Sequence, residues 1–372
     1  MNSIDKGFTI GDTTYTARQV LIIAELGTSH AADPVKAREL IHAAEEAGAD
    51  CIKFQMVYAD EILHPHTGEV HLPGGAIKLY ERFKRLEVDP RFFQEMKAYV
   101  ESRGLLFLCT PFGLRSARDV HALQPQVLKI ASPELNYTKL LREIASYQKP
   151  VFLSTGVSTL GDIEEALGIL RPAHIPVCLL HCVTAYPAPV TEYNLRILRS
   201  LASVFGLPVG LSDHSLDPEL VPFLGVALGA GAIEKHFCLS RKDTGLDDPI
   251  ALPPADFERM VRAIRKASTM EPAALIEAFS QERGDSLVQA VLGDGIKRLA
   301  PSEEASYERT NRSLHALRDI QEGELISAEA VAALRTEKRL RPGLPPSWES
   351  RILGRKARTF IPAGEGIRFE DI

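Results

Sequence analysis

Eight short apolar segments recur between residues 20 and 240, separated by stretches of helical periodicity, and that alternation leaves the chain few architectures. They span 20–27, 50–55, 105–112, 127–132, 150–156, 177–183, 208–214 and 232–239. Strand and helix in alternation predict βαβ units and a parallel sheet. Eight such units predict an α/β fold of the (β/α)8 barrel type, in which reactive groups gather where the strands end. The ends of these segments are polar: Glu25; Lys53 and Gln55; Thr110; Lys129 and Ser132; Ser154 and Thr155; His181 and Thr184; Ser212-Asp213-His214; Glu234-Lys235-His236.

Around the strands the pattern predicts a hairpin over 7–16, placed as a cap on the barrel bottom. A helix is predicted over 34–47, where Asp33 precedes a proline at the first helical position. Further helices are predicted over 138–147 and 161–170, the second capped by Asp162. The stretch 57–90 reads mostly as loop, suited to a lid or substrate wall. Its histidines His64, His66 and His71 are too irregularly spaced to be read as metal ligands. With a last barrel helix over 257–273, the expected organisation is a barrel over 1–273, a polar helical linker over 274–310 and a small turn-rich, β-rich domain over 311–372.

The net charge of −6 argues against a nucleic-acid partner, which would need a basic stripe. No run approaches the ~20 apolar residues of a membrane helix, and residues 1–6 lack the apolar core of a signal peptide. Cys51, Cys109, Cys178, Cys182 and Cys238 lie in or beside apolar segments, as reduced thiols of a cytoplasmic protein do. Cys178 and Cys182 are not in a zinc spacing.

Two constellations carry chemistry. His214 and His236 end adjacent predicted strands, which lie about 4.8 Å apart, so both imidazoles can reach one divalent metal. Two imidazoles suit manganese, iron, zinc or cobalt better than calcium. Lys53, Lys129, Ser132, Ser154, Thr184 and Ser212 form a second set. Lysine buried on a barrel strand is costly without an anion, so this set reads as a cradle for phosphate and carboxylate. Alternatively, one lysine forms a structural ion pair with Glu25 or Glu134.

The segment ends also form recognisable words. Ala24-Glu25-Leu26-Gly27, Lys53-Phe54-Gln55, Thr110-Pro111-Phe112, Lys129-Ile130-Ala131-Ser132-Pro133-Glu134, Leu153-Ser154-Thr155-Gly156, His181-Cys182-Val183-Thr184-Ala185-Tyr186-Pro187, Leu211-Ser212-Asp213-His214 and Glu234-Lys235-His236-Phe237 resemble the sialic acid synthase family, in its order. The stretch from Asn311-Arg312-Ser313-Leu314 to Gly323-Glu324 resembles that family's C-terminal antifreeze-like (SAF) domain. The resemblance implies a barrel, a linker and a small β-rich domain in a domain-swapped homodimer. It implies condensation of phosphoenolpyruvate with the aldehyde of an N-acylated aminohexose and water, giving a nine-carbon 2-keto sugar acid and phosphate. By the same resemblance Lys53, Thr110, Lys129, Ser132, Ser154, Thr184 and Ser212 would bind phosphoenolpyruvate. Gln55, Phe112, Glu134, Tyr186, Asp247 and Arg312 would line the amino-sugar site, Arg312 from the partner subunit. His214 and His236 would hold a divalent cation, manganese first and magnesium or cobalt next, and Glu25 or Glu234 would stabilise positive charge or deprotonate water.

The sugar-facing words drift from the family pattern at Ser29-His30-Ala31-Ala32, Gly113, Thr184, Gly245-Leu246-Asp247-Asp248 and Lys338-Arg339-Leu340-Arg341, which leaves the acceptor open. Other readings are a phosphoenolpyruvate-dependent synthase for a different aldose, a Schiff-base aldolase using Lys129 or Lys53, and a carbohydrate- or ice-binding tail on an inactive barrel.

Overall fold

A computed structural model describes residues 6–72, 75–243 and 245–372; residues 1–5 and the side chain of His71 lie outside the described residues. A short antiparallel hairpin comes first, β1 (Phe8–Ile10) and β2 (Thr13–Tyr15). Eight parallel strands then carry the barrel: β3 (Leu21–Gly27), β4 (Cys51–Met56), β7 (Leu106–Pro111), β8 (Leu128–Ile130), β9 (Val151–Ser154), β10 (Val177–Cys182), β11 (Val209–Asp213) and β12 (Ala232–His236). Their order is β7-β4-β3-β12-β11-β10-β9-β8, and β7 lies beside β8, so the ring closes. All eight match the expected segments. Their near-continuous apolar runs are what strands covered on both faces need.

Two apolar layers hold the ring. Leu21, Ile23, Leu108, Phe152 and Leu180 fill the barrel, plugged from below by Phe8 and Ile10 of the hairpin. The Phe8 and Phe152 rings meet at 4.7 Å, so the hairpin is the expected cap. Outside, helix Pro34–Glu46 buries Ala37, Leu40, Ile41 and Ala44, one helical stripe. Its Asp33 side chain accepts from Val35 N at 2.8 Å.

Three expectations are corrected. Helix Leu160–Leu170 starts earlier than expected and is capped by Thr159, with Asp162 completing the capping box. The stretch 57–90 is not mostly loop: it holds helix Ala59–Ile62, hairpin β5 (Glu69–Leu72) and β6 (Gly75–Lys78), and helix Leu79–Lys84. Val57, Ile62, Leu63 and Leu79 pack there with Phe112 from the end of β7. The last barrel helix is Pro254–Ala267, and the next, Pro272–Arg283, begins inside the expected barrel boundary. That helix and Asp285–Leu292 bury Leu275, Phe279, Val288, Val291 and Leu292 in the barrel's outer core, so this segment is packed structure and not a polar spacer.

The tail has its own core of Leu314, Ile320, Ile326, Ile352, Ile361 and Ile367. Its strands β13 (Arg312–Ala316) and β14 (Val331–Arg335) pair antiparallel. The tail sits over the strand ends, bridged from Leu63 to Arg335 and from Arg339 N to Thr67 O at 3.0 Å. Among the described residues no helix is long and apolar enough to cross a membrane.

Candidate active site

Parallel register alone stacks most of the polar strand ends. His236 pairs with Glu25 and Glu25 with Lys53, while Ser212 pairs with Glu234 and Gln55 with Thr110. All of these but Glu25, which is buried behind Lys53 and Gln55, line a cavity of about 400 Å³ at the C-terminal ends of the strands. Lys53, Gln55, Thr110, Phe112, Lys129, Ser132, Ser154, Thr184, Tyr186, Ser212, His214, Glu234, His236 and Asp247 all line it, as expected from the sequence.

Glu234 is its electrostatic centre. It receives Lys129 Nζ at 2.8 and 3.0 Å, Lys53 Nζ at 2.9 Å and Ser212 Oγ at 2.9 Å. Burial opposes its charge, but the two lysines outweigh burial and hold its pKa well below the usual carboxylate range. Glu25 takes Lys53 Nζ at 2.6 Å and Gln55 Nε2 at 2.7 Å. Here burial wins over Lys53, and the Glu25 pKa is raised. The two acids therefore differ: Glu234 anchors both lysines, and Glu25 is the more basic carboxylate of the two. The alternative ion pair is present as Lys53–Glu25, and both lysines still line the cavity.

Two hydroxyls mark where a ligand belongs. Thr110 Oγ1 and Ser154 Oγ are buried and have no hydrogen-bond partner in the protein. Buried hydroxyls normally find one. Ser132 Oγ accepts from Gly156 N at 3.0 Å. Gly156 is required by close approach: a Cβ there would stand 2.1 Å from Thr184 Oγ1.

His214 and His236 lie with ring centroids 5.4 Å apart, and Tyr186 stacks on His214 at 4.4 Å. His214 Nδ1 faces the Val183 carbonyl at 3.0 Å, which only accepts, so Nδ1 carries a proton and Nε2 is the nitrogen left for a metal. Burial and the charges of His214 and Lys53 press the His236 pKa well below its ordinary value. At His214 burial is outweighed by the Cys182 sulfur, 3.8 Å from Nδ1, and the pKa rises. Asp247 Oδ2 lies 3.8 Å from His236 Nδ1, its pKa lifted to about 6 by burial and by Glu25. Among the described residues no three His, Cys, Asp or Glu side chains close a metal site unaided. Two imidazoles with a carboxylate beside them fit an open site, in which substrate or water completes the coordination.

Arg312 and Glu134, expected on the amino-sugar side, lie behind the cavity wall of this chain. Neither lines the cavity. Arg312 is 1% exposed and donates to Glu134 Oε1 of its own chain at 2.9 and 3.1 Å, with its Nη1 on the Glu61 carbonyl. The arginine that does line the cavity is Arg335, bound to the same Glu134 oxygen at 2.7 Å and set 5.5 Å from the Phe112 ring. Arg312 and Arg335 face each other across the β13–β14 pair, where like charges repel unless an anion joins them. Glu134 is that anion. Sequence reasoning missed Arg335, which no motif marked; Lys338, which opens the drifting Lys338-Arg339-Leu340-Arg341 segment, is also on the cavity wall.

Residues 40–273 match the family model described as NeuB family, and residues 311–372 match the SAF domain. An N,N'-diacetyllegionaminic acid synthase of Campylobacter jejuni is 32% identical, over 94% of this chain and 99% of that protein. A pseudaminic acid synthase of Campylobacter jejuni is 33% identical, over 96% of this chain and 97% of that protein. The crystal structure of spore coat polysaccharide biosynthesis protein SpsE from Bacillus subtilis superposes with a TM-score of 0.82 at 32% identity, covering 99% of each chain.

Proposed function

The chain belongs to the NeuB family, and from that premise we propose that it joins phosphoenolpyruvate to the aldehyde of an N-acylated aminohexose. Water enters, phosphate leaves, and a nine-carbon 2-keto sugar acid of the nonulosonate type is formed. The observation that carries this reading is the floor of the cavity, where Lys53 and Lys129 stand beside the unpartnered hydroxyls of Thr110 and Ser154. Such a floor suits a small ligand that carries both a carboxylate and a phosphate.

Lys53 and Lys129 neutralise the substrate's anionic groups, and Ser132, Ser154, Thr184 and Ser212 orient them. Carbon 3 of the enol phosphate attacks the aldehyde carbon, whose oxygen takes up a proton. Carbon 2 is left electron-poor and captures water. Glu25, with its raised pKa, is the group to accept that water's proton. Phosphate then departs from carbon 2 and the ketone forms. A divalent cation held by His214 and His236, with Asp247 at hand, would supply Lewis acidity at the aldehyde oxygen.

Val57, Leu79, Phe83, Leu86 and Phe112 form an apolar wall on one side of the cavity. It favours a 2,4-diacetamido-6-deoxyhexose, with two acyl methyls and a C6 methyl, over an N-acetylmannosamine-like sugar. Comparing kcat/KM for the two acceptors tests this choice, and a preference for N-acetylmannosamine reverses it. The Schiff-base alternative needs an unprotonated lysine. At Lys53 the charges of Glu234 and Glu25 outweigh burial and raise the pKa. Burial lowers Lys129, but Glu234 keeps both carboxylate oxygens on its ammonium.

The assembly we propose is a homodimer in which tails exchange, so that the contacts Arg312 and Arg335 make with Glu134 form between subunits. A cytoplasmic setting completes this reading; it is supported by five buried, unpaired cysteines.

A further inference from the structure

Between the last barrel helix and β13 lie three polar residues that no step above uses, and all three turn back to the end of β9. Lys297 Nζ donates to the Thr155 carbonyl at 2.9 Å. Glu303 Oε1 accepts from Val157 N and from Thr184 N, each at 2.7 Å. Asn311 Nδ2 donates to the Val157 carbonyl at 2.9 Å.

Val157 is what they hold. Its φ of +41° lies in the left-handed region, which β-branched residues avoid at a cost of about 1–3 kcal/mol. Both its N–H and its carbonyl are taken by side chains from this one segment. The turn begins at Ser154 and includes Gly156, whose N–H donates to Ser132 Oγ. Glu303 is buried, and its second oxygen accepts from Ala300 N at 3.0 Å. A buried carboxylate is tolerated when hydrogen bonds satisfy it, and here backbone amides of two separate strand-end turns do so. Glu303 thus ties the turn after β9 to the turn after β10. Those turns carry Ser154 and Thr184.

We propose that Glu303 is a positioning residue for the phosphoenolpyruvate half of the cavity: it locks the Val157 turn to the Thr184 backbone, so that Ser132, Ser154 and Thr184 present their hydroxyls as one set. The inference rests on the phosphoenolpyruvate reading of this cavity. A residue of purely structural importance would change stability or both substrates together. Glu303 acts on one substrate.

The experiment is steady-state kinetics of Glu303→Ala and Glu303→Gln, with the exposed neighbour variant Glu304→Ala as control and calorimetric titration of phosphoenolpyruvate into each folded protein. Glu303→Ala is expected to raise the KM and Kd for phosphoenolpyruvate roughly tenfold or more, the effect of losing charge-assisted bonds that order a loop. The amino-sugar KM should hold within about twofold. Glu303→Gln keeps a neutral acceptor and should fall between Ala and wild type, and it carries the test if Glu303→Ala does not fold. Glu304→Ala should match wild type. Equal changes in both KM values, or an unmoved phosphoenolpyruvate KM, overturn the role of Glu303. A wild-type enzyme that neither binds phosphoenolpyruvate nor releases phosphate fails the underlying reaction instead, and the two failures read out separately.

Discussion

Two buried acids that share one lysine would look interchangeable as carboxylates, yet Glu25 and Glu234 have opposite surroundings. Glu234 sits between two ammonium groups, whereas Glu25 shares only Lys53 and is raised by burial. Glu25→Gln is expected to cost turnover by about 10²–10⁴-fold, the worth of a general base, with little loss of fold, because Lys53 keeps Glu234. Glu234→Gln removes the charge both lysines share and is expected to cost about 3 kcal/mol in urea unfolding, the penalty for breaking a buried pair. Equal stability loss in the two variants would contradict this division. Three histidines outside the cavity set an acid limit on the fold. Burial presses His30 and His315 to about 4, and burial with the Lys297 charge presses His181 to about 3. The unfolded chain binds these protons near pH 6.5, so the folded state loses stability as pH falls from about 6.5 toward 4, by up to about 1.4 kcal/mol per pH unit for each histidine. Urea unfolding at a series of pH values checks it. His181→Gln keeps a donor for the Tyr193 carbonyl and should flatten the slope by one histidine's share; an unchanged slope would contradict the assignment.

At the scale of elements, the turn after β9 is the least forgiving. Gly156→Ala would drive a methyl into Thr184 Oγ1 and crowd Ser132 Oγ, which stands 3.0 Å from the same point. It is expected to raise the phosphoenolpyruvate KM by about tenfold or more while leaving far-UV circular dichroism unchanged, since overpacking costs about 1–3 kcal/mol. Wild-type kinetics would show that the turn has room. Elements of this kind divide what could be read from the chain. The eight strands were legible because strands buried on both faces must be apolar throughout and must end in turns. Register then brought Glu25, Lys53, Glu234 and His236 together, so most of the cavity followed from the strand ends. The stretch 57–90 misled because its stabilising partner, Phe112, comes from the end of a distant strand. Arg335 went unnamed beside Arg312, because a two-residue period cannot say which of two cross-strand arginines, both bound to one buried glutamate, also reaches the cavity. Glu303 was invisible for a simpler reason: its partners are backbone amides, which carry no residue identity.

Across the whole molecule, the tail is a roof over the strand ends, pinned by one glutamate to two arginines. If tails exchange between subunits, Arg335→Ala and Lys129→Met damage different chains' contributions to a site. A heterodimer of the two variants then has one doubly damaged site and one intact site. Mixing the two inactive proteins, with subunit exchange verified by mass, is expected to restore activity at the intact site. No recovery would place Arg335 and Lys129 of each site on one chain and remove exchange from the account. The central claim concerns the reaction itself. Enzyme, phosphoenolpyruvate and manganese are incubated with a panel of N-acylated aminohexoses, following inorganic phosphate and product mass together. The account requires phosphate release only when an accepted sugar is present, matched mole for mole by a product whose mass is that of sugar plus phosphoenolpyruvate plus water less phosphoric acid. Phosphate release without sugar, no product with any acylated aminohexose, or a borohydride-trapped pyruvyl adduct on Lys129 or Lys53 would contradict it.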